Sequence, residues 1–264
     1  MQAATMTNLV RIERDQGVAR VTLNRPELNN ALNEELIEAL RLTFETIATD
    51  ASIATVVLSG EGKSLCAGAD INWMRKAASY SREENIADAM PLVRMLAALD
   101  RMPQTTIGRV QGPIYGGGVG VVAACDIAIG SSEATFCLSE VRLGIVPGMI
   151  SPYVLRAIGE RTARRYFQTA EVFDAQEAKR IGLLHEVVAP DELDERIAKL
   201  LKQLKSAAPG ARAIAKKLAG DIAGRPIDEA LMSETAALIA DVRARPEARE
   251  GLSAFLEKRK ASWN

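Results

Sequence analysis

The sequence predicts an α/β core over residues 1–200 and a helical region over residues 201–264, in one chain of 264 residues. Short apolar runs that end at glycine and other turn residues alternate with helical patterns through the first half of the chain. After Ile150 no strand pattern is persuasive, and the apolar residues follow helical spacing instead. A chain of this length buries most of its apolar surface, so we expect it to fold without disulfide or metal cross-links.

The first predicted elements are a hairpin, a helix and a strand. Val10–Arg14 and Val18–Asn24 flank Asp15-Gln16-Gly17, a short glycine-containing loop that is typical of a β-hairpin. Asn33 has the side chain of a helix N-cap and precedes apolar residues at helical spacing. Ala54–Leu58 then predicts a short apolar strand.

The middle of the chain repeats this alternation. Thr105–Val110 is expected to form a buried strand, and Gly117–Ala124 the helix that leaves it. Asp126–Ile129 and Ala134–Leu138 predict further short strands. Met90-Pro91 is expected to interrupt a helix, because proline lacks an N–H donor and its ring crowds the preceding turn.

The last part of the chain is expected to be helical. Ser151-Pro152 has the pattern of a cap followed by proline at the first helical position. Asp174-Ala175-Gln176-Glu177 has the spacing of a capping box. Further helices are predicted over Glu192–Lys205, Ala211–Ile222, Ile227–Val242 and Glu247–Lys258.

Composition and charge narrow the functional classes. The 33 basic and 34 acidic residues give a net charge of -1, which argues against a nucleic-acid or membrane-surface protein. Cys66, Cys125 and Cys137 have no zinc-site spacing, so we expect reduced thiols, no metal and a cytoplasmic location. Met1–Thr5 lacks the pattern of a signal peptide, and no run approaches the roughly twenty apolar residues of a membrane span.

Two glycine-bearing segments, Cys66–Asp70 and Tyr115–Gly120, carry the strongest functional signal. Glycine lets the backbone approach a ligand closely, so each segment can present an N–H group without a side chain in the way. Two such donors aimed at one oxygen form an oxyanion hole, which suits acyl chemistry on a thioester or ester. The sequence therefore predicts an enzyme that stabilises an enolate.

The first segment leads into a helical pattern, which runs through Ile71, Met74 and Ala78. The N–H of Ala69 is therefore expected among the unpaired donors of a helix N-terminus. Asp70 is expected to serve there as a terminal charge or cap.

Glu140 is the candidate acid/base. It lies among apolar residues, and a carboxyl group in an apolar site has a raised pKa that lets it exchange protons near neutrality. An equally good interpretation from the residues alone is a structural glutamate that pairs with Arg142 or another base.

Other chemistries have less support. Gly118–Ala123 matches the GxGxxA dinucleotide fingerprint, but the expected further strand–helix units do not follow. His185 is the only histidine and is expected to be structural, and no GxSxG elbow is present.

The chain resembles the crotonase family, the enoyl-CoA hydratase/isomerase superfamily, along nearly its whole length. The resemblance rests on segments in family order and spacing: Asn24-Arg25-Pro26, Asn30-Ala31-Leu32, Ala67-Gly68-Ala69-Asp70, Gly116-Gly117-Gly118, Ala124-Cys125-Asp126 and Gly144-Ile145-Val146-Pro147-Gly148. It implies a spiral of ββα units with a helical C-terminal trimerisation region, and an assembly of three or six chains.

The resemblance also implies roles for individual residues. The N–H groups of Ala69 and Gly117 match the donors that hold the thioester oxygen, and Glu140 matches a glutamate that exchanges a proton with a substrate carbon. Coenzyme A enters as part of the substrate, with no resident cofactor. Its contacts are expected from Arg25, Ala67, Gly68, Ala69, Asp70, Ile71, Gly116, Gly117, Phe255 and Lys258.

One position departs from the family pattern. Two-base hydratases of the family have a glutamate where this chain has Gly120. Hydration of a 2-enoyl-CoA then either runs on Glu140 alone or needs another group to hold the water. A 3,2-enoyl-CoA isomerase needs one base only. A non-catalytic CoA-thioester-binding or RNA-binding scaffold is a further alternative.

Finer likeness favours hydration. Asp70–Met74, Leu138–Gly144 and Ile150–Val154 resemble segments of bacterial methylglutaconyl-CoA and isohexenylglutaconyl-CoA hydratases. A glutaconyl substrate carries a second carboxylate that needs a basic partner. Arg75 and Lys76 are candidates for it, and the alternative expected for both is a solvated helix face.

Overall fold

The computed structural model describes residues 9–77 and 79–263. The predictions for Met1–Thr5 and for Ala78 lie outside the described residues. Within the described ranges, no helix is both long and apolar enough to span a membrane.

The strands form a mixed six-stranded sheet and a smaller three-stranded one. In the larger sheet the order is β1-β2-β3-β4-β6-β9, with β1 and β2 antiparallel and β2–β3, β4–β6 and β6–β9 parallel. The smaller sheet has the order β5-β7-β8. The strands are β1 (Val10–Asp15), β2 (Val18–Leu23), β3 (Thr55–Gly60), β4 (Thr105–Val110), β5 (Pro113–Tyr115), β6 (Ile127–Ser131), β7 (Thr135–Cys137), β8 (Phe173–Asp174) and β9 (Glu186–Val188).

Helices connect these strands, and further helices follow the last strand, β9. They are α1 (Glu34–Ala48), α2 (Ile71–Ala77), α3 (Arg82–Asp100), α4 (Gly117–Ala124), α5 (Ser151–Thr169), α6 (Ala175–Arg180), α7 (Leu193–Lys205), α8 (Pro209–Ile222), α9 (Glu229–Ala244) and α10 (Pro246–Leu256). Helix α4 is apolar throughout and buried from its second residue onward, and it packs against α3 and α5. The predicted α/β fold with C-terminal helices is confirmed.

The N-terminal hairpin and the first cap are as predicted. Strand β1 pairs with β2 from Val10 opposite Leu23 to Asp15 opposite Val18. The Oδ1 atom of Asn33 accepts a hydrogen bond from the N–H of Leu36 at 3.0 Å and so satisfies a donor at the start of α1.

The predicted interruption at Met90-Pro91 is wrong. Helix α3 runs through Pro91 without a break. A reciprocal capping box between Ser81 and Glu84 fixes its start, and buried residues such as Leu96 hold its second half in the core. Packing of this face outweighs the hydrogen bond that proline cannot donate.

Two predictions in the second half also need correction. Short strands do follow Ile150, because β8 and β9 pair with β7 and β6, respectively. Ser151 is the first residue of α5 instead of its cap, and no side chain caps that end. Asp174 does cap α6 through the N–H of Glu177 at 2.8 Å, but the carboxylate of Glu177 binds Tyr166 and Arg180.

The chain divides into two compact units. Among the described residues, the first contains those up to Met102 together with Thr106–Ile197, and the second contains Pro103–Thr105 together with those from Ala198 to Trp263. The first unit holds the hydrophobic core that α1, α3 and α4 form with the strands. The second consists mainly of the helices α8, α9 and α10.

Candidate active site

A cavity of about 490 Å³ opens in the first unit, and both glycine segments reach it. Ala67, Gly68 and Ala69 line it from one segment, and Gly116 and Gly117 from the other. Glu140 lines the same cavity. The structure therefore brings together the three groups for which the sequence predicted a chemical role: the N–H groups of Ala69 and Gly117, and the carboxyl group of Glu140.

The two glycine segments abut backbone to backbone. A Cβ atom on Gly118 would lie 2.2 Å from the carbonyl oxygen of Cys66, which is closer than real Cβ contacts. A Cβ atom on Gly68, where φ is +105°, would lie 2.9 Å from the carbonyl oxygen of Tyr115. Glycine is required at both points because the opposing atoms are backbone and cannot swing away.

The N–H of Ala69 is directed by a single β-bridge to Leu32. The N–H of Leu32 donates to Gly68 at 2.7 Å, and the N–H of Asp70 donates to the carbonyl of Leu32 at 2.8 Å. In a parallel pairing these bonds come from the residues on either side of Ala69, so the N–H of Ala69 itself points away from Leu32. Among the described residues it has no acceptor.

The N–H of Gly117 is available for a different reason. Gly117 is the first residue of α4, where an N–H has no acceptor within the helix. The preceding residue, Gly116, takes φ +46° and ψ −115° and donates its own N–H to Cys137 at 2.9 Å. The helix N-terminus also adds a partial positive charge, which favours a negatively charged oxygen.

Glu140 is a half-buried carboxyl group at the edge of the second glycine segment. It opens a 3-10 turn, Glu140–Leu143, and its Oε1 atom lies 3.3 Å from where a Cβ on Gly116 would stand. Its Oε2 atom is buried and makes no hydrogen bond to any described residue. Burial raises the pKa of Glu140. The alternative pairing with Arg142 is absent here, since that guanidinium donates to the carbonyl of Ala170 at 2.6 Å.

Ile150 occupies the space beside Gly120. A Cβ atom on Gly120 would lie 2.2 Å from Cγ2 and 2.7 Å from Cβ of Ile150. Ile150 also lines the cavity. No side chain at position 120 can therefore reach the cavity without displacing Ile150. Gly118 abuts Cys66, and Gly120 abuts Ile150. The glycines of the GxGxxA segment therefore pack against other residues of the protein.

Arg25 and Asp70 form a buried ion pair. The guanidinium of Arg25 donates to the Oδ2 atom of Asp70 at 2.9 Å and to the carbonyl of Ala31 at 2.7 Å. The two side chains are 12% and 8% exposed. The Oδ1 atom of Asp70 accepts from the N–H of Asn72 at 2.7 Å, and this bond together with Arg25 lowers the pKa of Asp70. Through these bonds both side chains stabilise the loop that precedes α2, and neither side chain lines the cavity.

The other expected coenzyme A residues lie on the surface. Ile71 at the start of α2 is 66% exposed. Phe255 near the end of α10 is 80% exposed, and Lys258 follows that helix with φ +55°. Their contact with coenzyme A stays a prediction.

Sequence reasoning missed the wall that α2 and α3 contribute. Trp73 and Met74 line the cavity from α2, and Asn85, Asp88 and Leu92 line it from α3. The spacing of the α3 residues would have revealed one helical face, but the expected break at Pro91 obscured it. His185 is structural as predicted, because its Nδ1 atom accepts from the N–H of Ala128 at 3.1 Å. No group of three or more His, Cys, Asp or Glu side chains suited to a metal occurs among the described residues.

Comparison with known proteins places the chain in a well-defined group. The model of the family "Enoyl-CoA hydratase/isomerase" matches residues 13–264. The crotonyl-CoA hydratase of Syntrophomonas wolfei is 33% identical over 96% of either chain, and the short-chain-enoyl-CoA hydratase of Clostridium acetobutylicum is 34% identical over the same shares. A crystal structure of an enoyl-CoA hydratase from Shewanella pealeana superposes with a TM-score of 0.93 at 40% identity, covering 97% of this chain and 96% of that one.

The burial of Glu140 predicts a pH-dependent gain in stability for Glu140→Gln. Because burial raises its pKa in the folded state, ionised Glu140 opposes folding above that pKa, whereas below the unfolded pKa both states are protonated and the penalty vanishes. We expect the variant to be more stable by about 1 kcal/mol at pH 8 and equal to the wild type near pH 4. Urea unfolding at the two pH values measures this, with Glu133→Gln at an exposed position as the control. A difference independent of pH would contradict the assignment.

Proposed function

Because this chain belongs to the enoyl-CoA hydratase/isomerase family, we propose that it adds water across the double bond of a 2-enoyl-CoA to give a 3-hydroxyacyl-CoA. The observation that carries the proposal is that one cavity joins a half-buried carboxyl group with two backbone N–H groups. The Oε2 atom of Glu140 has no hydrogen-bond partner among the described residues, and the N–H groups of Ala69 and Gly117 have no acceptor among them. This set can hold a thioester oxygen and move a proton at the adjacent carbon. The proposed chemistry uses no resident cofactor.

In the proposed mechanism, the N–H groups of Ala69 and Gly117 bind the thioester oxygen and stabilise the enolate that forms when water attacks C3. Loss of one such donor typically costs about 10²–10³ in rate. Glu140 transfers the proton to C2. Its raised pKa keeps a protonated fraction available nearer to neutral pH than an ordinary carboxyl group would.

The second candidate is a 3,2-enoyl-CoA isomerase, in which Glu140 alone moves a proton between carbons. The filled space at Gly120 favours this alternative, because it leaves α4 without a carboxylate in the cavity. A non-catalytic scaffold that binds CoA thioesters would use the same cavity without turnover.

Incubation with crotonyl-CoA, 3-methylglutaconyl-CoA and a 3-enoyl-CoA in ¹⁸O-water separates these functions. We expect the 3-hydroxyacyl product to carry ¹⁸O, and Glu140→Gln to lower turnover by about 10²–10⁴ because the acid/base group is lost. Mass spectrometry of the products and calorimetry with butyryl-CoA provide the readouts, and binding should persist in the variant.

A shifted double bond without label would establish the isomerase instead. Binding without any turnover would leave the scaffold. Full activity in Glu140→Gln would remove that residue from the mechanism.

The narrower proposal for the substrate is 3-methylglutaconyl-CoA, which rests on the likeness of Asp70–Met74 and two later segments to hydratases of that class. None of the described residues that line the cavity is a lysine or arginine. Lys76 pairs with Glu34 at 2.8 Å. Arg75 follows the cavity residue Met74, and its hydrogen bond within the described part of the chain is to the amide oxygen of Asn72, at 3.2 Å. Arg75 is therefore the available partner for a second carboxylate.

Arg75→Gln tests this substrate. We expect kcat/KM for 3-methylglutaconyl-CoA to fall about tenfold, as for loss of one charge-assisted contact, with crotonyl-CoA unaffected. Steady-state assays of both substrates measure the ratio, and Arg82→Gln, an exposed arginine on α3, is the control. An equal fall in kcat/KM for both substrates would show that Arg75 does not bind the second carboxylate of the acyl group.

We also propose that the second unit joins copies of this chain. It leaves large apolar side chains exposed: Ile227, in the loop before α9, at 86%, and Phe255 and Leu256 of α10 at 80% and 77%. Exposed large apolar side chains that gather into a patch mark an interaction site. Light scattering should give the mass of three or six chains. A monomer at micromolar concentration would contradict the proposal.

A further inference from the structure

The cavity contains a second carboxylate besides Glu140. Asp88 lines this cavity from α3, whereas Glu140 lines it from the 3-10 turn Glu140–Leu143. These two are the acidic side chains among the described residues that line the cavity. The proposed hydration does not yet use Asp88.

The position of Asp88 is fixed by the helix that carries it. The capping box of Ser81 and Glu84 sets the start of α3 just before Asp88. Leu92, one turn later, is 2% exposed and packs in the core. Asp88 therefore lies in a regular helix that is capped before it and anchored in the core after it.

The carboxylate of Asp88 is held by the indole of Trp73. The Nε1–H of Trp73 donates to Oδ1 at 2.9 Å and to Oδ2 at 3.1 Å, and Trp73 itself is 6% exposed. No described lysine or arginine pairs with Asp88. An ionised carboxylate has about four acceptor sites, so one shared donor leaves acceptors for a water molecule in the cavity.

Addition of water requires two proton transfers, one to C2 and one from the attacking water. Glu140 serves the first in the proposed function. Helix α4 contributes no group for the second, because it carries no titratable side chain and Ile150 fills the space beside Gly120. Asp88 is the remaining carboxylate in the cavity.

We propose that Asp88, held by Trp73, positions the attacking water and accepts its proton. The inference rests on the proposed function and deepens it. The water oxygen bonds to C3 as the C2–C3 π electrons move toward the thioester, C2 takes the proton of Glu140, and Asp88 takes the proton of the water. Solvent then reprotonates Glu140 and deprotonates Asp88, so that the net change is addition of one water.

Asp88→Asn separates the two proton transfers. The amide can still accept from Trp73 but cannot take a proton, so we expect kcat for hydration of crotonyl-CoA to fall about 10²–10³ with KM within about twofold. Exchange of the C2 protons of butyryl-CoA in deuterated water needs only Glu140 and the N–H donors. It should persist in Asp88→Asn and disappear in Glu140→Gln.

Two further variants distinguish chemistry from structure. Asp88→Ala leaves room for a small carboxylate, so formate should restore part of the hydration activity. Glu83→Gln removes the same charge from an exposed site on the same helix and should change neither reaction.

Unchanged hydration in Asp88→Asn, or equal loss of hydration and exchange without rescue by formate, would overturn the inference while leaving hydration by the wild type intact. Absence of hydration in the wild type would instead overturn the proposed function.

Discussion

The candidate site depends on one contact, the close approach of two backbone segments at Gly118 and Gly68. The carbonyl oxygens of Cys66 and Tyr115 occupy positions that a side chain on either glycine would need. Because the contact is between backbone atoms, it fixes peptide planes instead of rotamers. The orientation of the Ala69 and Gly117 N–H groups is thus a property of the chain path, and no side-chain motion can disturb it. Such preorganised donors cost no rearrangement at the moment of reaction.

The same part of the fold tolerates features that oppose stability. Glu140 buries an oxygen atom without a protein partner. Gly116 takes a backbone conformation with φ +46° directly before the helix that presents Gly117. The surrounding structure compensates through the bridge of Leu32 to Ala69 and the buried pair of Arg25 with Asp70. Locally unfavourable features that are held in place by contacts with their neighbours are typical of a functional site.

Local sequence signals predicted the elements whose causes are local. The hairpin around Gly17, the cap at Asn33 and the glycine segments each follow from adjacent residues. Pro91 was misjudged because the buried face of α3 outweighs its local effect. Ile150 and Asp88 were not foreseen as cavity residues, since each meets its counterpart, Gly120 or Trp73, only through the tertiary fold. The family resemblance predicted the class of reaction, whereas the contacts of individual side chains in the cavity are known only from the structure.

The packing of Ile150 against Gly120 has a consequence for how this chain can diverge. A Cβ at position 120 collides with Ile150, so a larger residue there is disfavoured until position 150 becomes smaller, and shrinking Ile150 first opens a void. The two positions are therefore coupled: each single change is expected to lower the free energy of unfolding, whereas the double change exchanges one volume for the other. A larger side chain can enter the cavity from position 120 only together with a smaller residue at position 150.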